Sequence, residues 1–288
     1  MNTQDKVIGR EKLIAEKAPK KSLFAFSRKQ LGIPYGVFLA LFVILPLFLI
    51  LYYAFTSKTG SFTFANFIDF FSNPTSVSNL FLSLLIAFVT TALCLLIAYP
   101  VAYILSKMKA KRGTVLLLLF IMPMWINFVL RALAMKEVMT LMGIFAKDDF
   151  FNFFNTIVGM VYDFLPFMIM PLYTTLIKTD KSLLEASYDL GATKAQTFRK
   201  ITLPLSVPGI ISGAMMVFLP SMSAYVISDT FGNGKITIIG KLIEEQFGTG
   251  ANWNAGSAIA IVMLIVMFVT MLLTGGFKNE TNVRGTAL

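Results

Sequence analysis

Histidine is absent from this sequence, and cysteine occurs once, as Cys94 inside an apolar run. Metal centres of the His/Cys kind and structural disulfides are thereby excluded, since each needs several such side chains. Charge is scarce as well. Only 14% of the 288 residues are charged, against about 25% in soluble domains. Hydrophobic residues make up 56% and mean hydropathy is +0.74, the composition of a chain that resides in a bilayer. A nucleotide site is missing too. The nearest approach to a phosphate loop, Gly232-Asn233-Gly234-Lys235, is followed by Ile236 where Ser or Thr is required.

What the chain does have is apolar runs. Six occur, at about residues 34–55, 80–105, 114–135, 155–177, 207–229 and 255–277. Each is long enough as a helix to cross roughly 30 Å of hydrocarbon. They are continuous and not alternating, so they predict helices and not β spans. The first run follows a polar, basic tail at 1–33 and lacks a small-residue cleavage site, so it is read as a retained span.

Lysine and arginine fix the expected orientation. With the N-terminus inside, the segments 1–33, 106–113, 178–206 and 278–288 hold 19 of the 25 basic residues, and the outer segments hold 5. The remaining one, Arg131, lies within a span. The expected topology is therefore N-in and C-in, with cytoplasmic tails at 1–33 and 278–288. The net charge of +10 is then a consequence of topology, and a nucleic-acid partner is not expected.

The longest water-compatible segment between two apolar runs in the second half is 182–208. Ser182 with Glu185 has the spacing of a capping box, and Thr193 with Gln196 repeats it. Gly191 stands where a left-handed residue would end the first short helix. Leu203-Pro204 is expected to close the second, because proline supplies no N–H. The segment predicts two short helices joined by an elbow.

Glu185-Ala186-Ser187, Gly191 and Ile201-Thr202-Leu203-Pro204, at these spacings, resemble the EAA loop of ABC importer permeases. Ser187 stands where the motif has a second alanine, a small-for-small change. The resemblance implies an all-α integral membrane protein with six transmembrane helices and the type I (MetI-like) permease fold, its permease domain at 75–277 preceded by a first span at 34–55. It implies that Glu185, Ala186, Ser187, Leu190, Gly191, Ile201, Leu203 and Pro204 couple the membrane part to an ATPase. The chain would bind no cofactor, ATP and Mg being held by a separate ATPase. Lys178, Lys181, Lys194, Arg199 and Lys200 would suit an acidic partner face, or reflect the charge bias alone.

Six prolines lie within the expected spans: Pro46, Pro100, Pro123, Pro166, Pro171 and Pro220. Each frees a carbonyl that lipid cannot satisfy, as in the broken helices of transporters. Ionisable residues in spans are costly, and here they are Arg131, Asp163 and Asp229, with Glu137 at the outer mouth. Trp125, Phe128, Tyr162, Phe164, Phe167 and Tyr225 flank the same level. Carboxylates with aromatic faces suit an ammonium, which makes Asp163, Trp125, Phe164, Tyr225, Asp229 and Glu137 candidates for a cation path. The alternative is that Asp163 pairs with Arg131 and the aromatics form an interfacial belt.

Pro123-Met124-Trp125 with Val129-Leu130-Arg131, and Val217-Phe218-Leu219-Pro220-Ser221 followed by Tyr225, Asp229, Gly232 and Trp253-Asn254, are similar to the polyamine (spermidine/putrescine) permeases. Asn254 departs from the proline usual there, and Ser223 from a common glycine. This resemblance implies a subunit of a polyamine importer in the bacterial plasma (inner) membrane, multi-pass in the lipid bilayer. Its partners would be a homologous second permease, two ATPase subunits and an extracellular polyamine-binding protein. Related permeases for ferric iron, sulfate or thiamine share the coupling loop and remain alternatives. A stand-alone secondary transporter is disfavoured by the loop spacing and the absence of an inverted repeat. An integral-membrane enzyme lacks enough clustered catalytic side chains.

Overall fold

The computed structural model describes residues 28–145 and 148–274. Most of the two terminal tails anticipated from the sequence lies outside the described residues. The chain divides into two compact units, Met1–Leu49 and Ile50–Leu288. In the first, helix α1 (Arg28–Leu39) runs into a π turn at Ala40–Ile44. Helix α2 (Leu45–Ala54) follows without a break; Leu45 N bonds Ala40 O across the π turn, which takes up Pro46 and its missing N–H.

In the second unit a short helix α3 (Ala65–Ser72) precedes the longest one, α4 (Pro74–Lys107). Asn73 starts α4 by accepting from Thr75 N, and Pro74 occupies the first helical position. Then come α5 (Ala110–Ile121), a tight turn at Met122–Trp125 and α6 (Phe128–Leu141). Long α7 (Asp149–Ile177) leads to α8 (Lys181–Asp189) and one-turn α9 (Lys194–Thr197). A π turn at Phe198–Thr202 joins α9 to α10 (Leu203–Ser223), which is followed by α11 (Tyr225–Phe231), α12 (Ile239–Phe247) and α13 (Trp253–Leu273).

Among the described residues, five helical stretches are long and apolar enough to cross a membrane: Ile33–Ala54, Pro74–Lys107, Phe150–Ile177, Lys194–Ser223 and Trp253–Leu273. Lys111–Trp125 with Phe128–Leu141, bent at a short break, counts as a sixth when the pair is taken as one broken span. Two expectations need correction here. The third run is not one straight helix but turns by 98°. Pro123 offers no N–H to the helix before it, and Asn127 accepts from Val129 N to start α6 in a new direction. The fifth run begins earlier than expected and ends at Ala224, after which α11 starts afresh. Pro100, Pro166, Pro171 and Pro220, by contrast, stay inside continuous helices.

Helices α4, α7 and α10 form the core. Cys94, Ala98 and Ala102 recur every four residues on one face of α4 and are fully buried against Met168, Ile169 and Leu172 of α7. Between α7 and α10 the backbones meet over glycines. A Cβ at Gly213 would lie 2.7 Å from Met168 Sδ, and one at Gly209 would lie 2.7 Å from Thr175 Oγ1. Small residues at the crossings permit close packing where no hydrophobic effect operates. A second cluster gathers Phe70, Leu80, Met222, Ile239, Ile259 and Met263 from α3, α4, α10, α12 and α13. A third holds Ile86, Ala132, Met160, Ile227 and Phe231 beneath the bent limb α6 and the short helix α11.

Candidate functional site

Two places concentrate the polar groups: the elbow and a cavity beside Asp163. At the elbow, α8 does not start as expected. Its N-cap is Asp180, whose Oδ1 accepts from Ser182 N at 2.9 Å, so no Ser182–Glu185 capping box forms. Aspartate is as good a cap as serine, and it comes first along the chain. That bond holds the Asp180 carboxyl below the usual carboxylate range. Glu185 is left exposed beside Ala186.

Helix α8 ends as anticipated. Gly191 has φ +77, and Ala192 N reaches back to Ser187 O at 3.0 Å. The second capping box is present, with Thr193 N donating to Gln196 Oε1 at 2.8 Å and Gln196 N donating to Thr193 Oγ1 at 3.3 Å. Leu203-Pro204 does not close a helix. The π turn carries the chain through, with Leu203 N bonding Phe198 O, and Pro204 enters in the first turn of α10. Leu190 at the tip is 89% exposed, an apolar knob that no other described residue covers. Leu203 and Pro204 are exposed, and Ile201 is half-buried.

Ser187 does more than replace an alanine. Its Oγ–H donates to Leu184 O at 2.7 Å, so the 2.9 Å contact with Thr197 Oγ1 has threonine as donor. This bond crosses the elbow from α8 to α9. Phe198 then stands edge-on to Tyr99 and Tyr103 of α4, with ring centroids 5.8 and 5.5 Å away. Tyr99 also meets Ser206 Oγ at 2.9 Å. The elbow is thus fastened to a long span. A cavity of about 370 Å³ lies where the ends of α4 and α7 meet α8.

The second place is a cavity of about 530 Å³ lined by Trp125, Arg131, Asp163, Phe164 and Phe167 among others. Both helix breaks border it, the bend at Met124–Asn127 on one side and Ser223-Ala224 on the other. Arg131 on α6 and Asp163 on α7 form an ion pair with side chains only 7% and 3% exposed. Of the two readings left open by the sequence, pairing is therefore present in the structure. The Arg131 guanidinium also sits 5.8 Å from the Tyr162 ring centroid.

The remaining candidates lie apart. Asp229 and Tyr225 gather around Lys241 of α12, which the sequence reading did not single out. Its Nζ is 3.9 Å from Asp229 Oδ2, 3.3 Å from Glu244 Oε2 and 5.8 Å from the Tyr225 centroid. The Glu244 hydrogen bond raises the Lys241 pKa above its ordinary value. Glu137 is exposed on α6 and does not line the cavity. Asn254 has a role that the order of residues does not reveal. Its Nδ2 donates to Tyr53 O at 3.0 Å and Thr56 O at 2.6 Å, capping the end of α2 where a proline could not.

The family model described as binding-protein-dependent transport system inner membrane component matches residues 95–279, and the chain belongs to that family. It is the membrane-embedded permease component of a transport system whose ATPase is a separate subunit. Among individual proteins, it is 36% identical over 247 residues to the spermidine/putrescine transport system permease protein PotB of Haemophilus influenzae, covering 80% of this chain and 86% of that one. The PotB protein of Escherichia coli K12 is 37% identical over 252 residues, 81% of this chain and 91% of that one. In fold it resembles a chain of the bacterial alginate ABC transporter solved with an alginate pentasaccharide-bound periplasmic protein. That match has a TM-score of 0.71 and 15% identity over 96% of this chain and 97% of that one. A chain of the MetNI methionine ABC transporter matches with a TM-score of 0.54 and 19% identity, covering 74% and 96%. At such identities the likeness to solved structures is one of fold. The all-helical, multi-pass permease architecture expected from the sequence is borne out.

Proposed function

We propose that this chain is a permease subunit of an ATP-driven importer for polyamines in a bacterial inner membrane. The observation that carries the substrate class is the 36–37% identity to spermidine/putrescine permeases over four-fifths of the chain. In this reading a homologous second permease completes the path, two ATPase subunits bind the cytoplasmic side, and an extracellular polyamine-binding protein delivers the substrate. No cofactor is assigned to this chain, since ATP and Mg²⁺ belong to the ATPase. Glu185, Ala186, Leu190 and Gly191 meet the ATPase at the elbow, with Ser187, Ile201, Leu203 and Pro204 behind them. The exposed Leu190 and the hydrogen-bonded elbow support this, because a rigid, fastened rod transmits a displacement that a loose loop would absorb.

The path runs from the outer side, where Glu137 on α6 and the Tyr225–Asp229 pair beside Lys241 lie, to the cavity of Trp125, Asp163 and Phe164. The aromatic and carboxylate lining supports a cationic cargo. The test is uptake of labelled spermidine into vesicles holding the complete importer, with unlabelled putrescine, ferric iron, sulfate and thiamine as competitors. Competition by putrescine alone is expected. Competition by ferric iron, sulfate or thiamine without any by putrescine would assign the importer to another solute.

A further inference from the structure

We propose that Arg131 is the resident counter-ion of a cation site at Asp163, given up when a transported ammonium arrives and restored when it leaves. This deepens the polyamine reading and rests on it. Three observations support it.

The first is how loosely the arginine is held. A guanidinium presents five N–H donors in a rigid fork, and a buried polar group left without partners is costly. An arginine kept only to brace helices would be expected to satisfy its donors. Arg131 Nε has no hydrogen-bond partner among the described residues, although the side chain is only 7% exposed. Its other neighbour, Tyr162, offers a ring face at 5.8 Å and not an acceptor. Asp163 is paired, yet one guanidinium donor is left over, so Arg131 is held by less than its full set of bonds.

The second is position. The ion pair forms part of the wall of the 530 Å³ cavity, and the aromatic rings of Trp125, Phe164 and Phe167 line the same space. An alkylammonium entering there meets aromatic faces for its methylenes and one carboxylate for its charge. Lysine-like ammonium is a compact charge with three donors and needs no fork geometry, so it can replace a guanidinium on a single carboxylate.

The third is the element that bears the arginine. Asp163 lies within the 29-residue helix α7 in the packed core, whereas Arg131 lies on the 14-residue limb α6 beyond the 98° bend. Movement of α6 about that bend separates the two charges at the cost of the third cluster, where Ala132 and Met139 meet Ile86 and Met160, but leaves the α4–α7–α10 cluster around Cys94, Met168 and Val217 in place. With Arg131 in place the cavity is neutral and holds a cation weakly. With Arg131 withdrawn it is anionic and holds one well. A transport site has to bind firmly enough to load and weakly enough to release, and a returning arginine supplies the second half of that requirement.

The experiment uses the purified complete importer without its binding protein, with labelled spermidine as the probe. Arg131→Gln is expected to raise spermidine retained at equilibrium about tenfold or more while ATP-driven uptake falls, because cargo is no longer expelled. Adding Asp163→Asn should return retention to the wild-type level without restoring uptake. Arg131→Lys serves if the glutamine variant does not assemble; a few-fold rise in retention is expected. Retention unchanged from wild type in an assembled Arg131 variant overturns the inference, as does recovery of uptake in the Arg131→Gln, Asp163→Asn double variant, which would make the pair a structural brace. Failure of the polyamine reading looks different: the wild-type importer itself would not take up spermidine.

Discussion

The elbow and the cavity both hold polar groups in a chain poor in them, and they do so by opposite means. At the elbow most bonds are local: Asp180 with Ser182, Thr193 with Gln196, Ser187 with Leu184. The groups are largely exposed; the Ser187–Thr197 bond spans ten residues, and the bond of Ser206 to Tyr99 fastens the segment to α4. At the cavity the partners are Arg131 and Asp163, thirty-two residues apart in sequence and almost wholly buried. Local bonds make a piece that keeps its shape whatever the spans do. A remote pair keeps its shape only while the helices that bring it together stay put. Under the proposed function, rigidity falls where force would be passed on, and dependence on the fold falls where a path would open and close.

The largest expected effect concerns which side each region faces. In a Cys94→Ala background, cysteines at Thr59 and Thr249 should react with an impermeant thiol reagent from outside. One at Lys109, near the elbow end of α4, should react only after permeabilisation. The opposite pattern would turn the elbow outward and remove its proposed ATPase partner.

Next come variants that strike the elbow as a rod. Gly191→Val places a β-branched residue at φ +77, a region that costs an ordinary residue about 1–2 kcal/mol. A Cβ there meets nothing within 4 Å, so backbone conformation alone is being tested. ATP-driven uptake is expected to fall about tenfold or more. Glu185→Lys should lower uptake and ATPase co-purification with no change in thermal stability, since Glu185 caps nothing. Normal uptake in both would defeat the coupling assignment.

A glycine on the cavity side sharpens the contrast. At Gly159 in α7 a Cβ would lie 2.5 Å from the ring of Phe231, which is fully buried. Gly159→Ala is expected to destabilise the importer by about 1–3 kcal/mol through overpacking. Phe231→Leu should recover part of that loss, whereas trimming neighbours cannot help Gly191. If Phe231→Leu adds to the damage, the close contact is not the cause.

The same contrast explains what could be read beforehand. Six apolar runs, the turn at Gly191 and the Thr193–Gln196 box are periodic or local signals, visible in a single stretch of chain. The box at Ser182 was misread because Asp180, two residues earlier, is an equally good cap and takes the first free N–H. Pro204 was misread because a π turn lets a helix absorb a proline, and nothing in the residue order marks that turn. The 98° bend, the separation of Tyr225 and Asp229 from Asp163, and the place of Lys241 depend on how distant helices meet. Asn254 looked like a departure from a motif, yet it caps carbonyls two hundred residues away in sequence. No local pattern contains such information.

A smaller effect is expected at the elbow bond that joins α8 to α9. Thr197→Val removes the hydroxyl that donates to Ser187 Oγ, with both side chains buried. The expected cost is about 1 kcal/mol. Ser187→Ala alone restores the alanine of the motif but should cost at least as much, because it loses the bond to Leu184 O and also strands the buried Thr197 hydroxyl without its acceptor. The double variant should fall short of the sum of the two, a coupling that a thermal-melt double-mutant cycle measures. Strict additivity would mean that the hydroxyls do not tie α8 to α9.

The smallest effect concerns acid. Asp180 is fully exposed, and its carboxyl is held below the ordinary range by the N–H of Ser182. A folded pKa below the unfolded value of about 3.9 stabilises the cap fully above that value. The contribution is lost as pH falls through the folded pKa, when the carboxylate that accepts the bond takes a proton. Hydrogen exchange across α8 should therefore rise in the wild type between about pH 5 and pH 3 relative to Asp180→Asn. Asparagine keeps an acceptor oxygen and caps nearly as well, but it does not titrate. Comparing the two chains at each pH cancels the intrinsic acid dependence of exchange. Parallel behaviour of the two would remove Asp180 from the cap and return the start of α8 to Ser182. Divergence confined to α8, with the buried pair at Arg131 and Asp163 undisturbed, is the outcome expected if the elbow is a locally sustained piece.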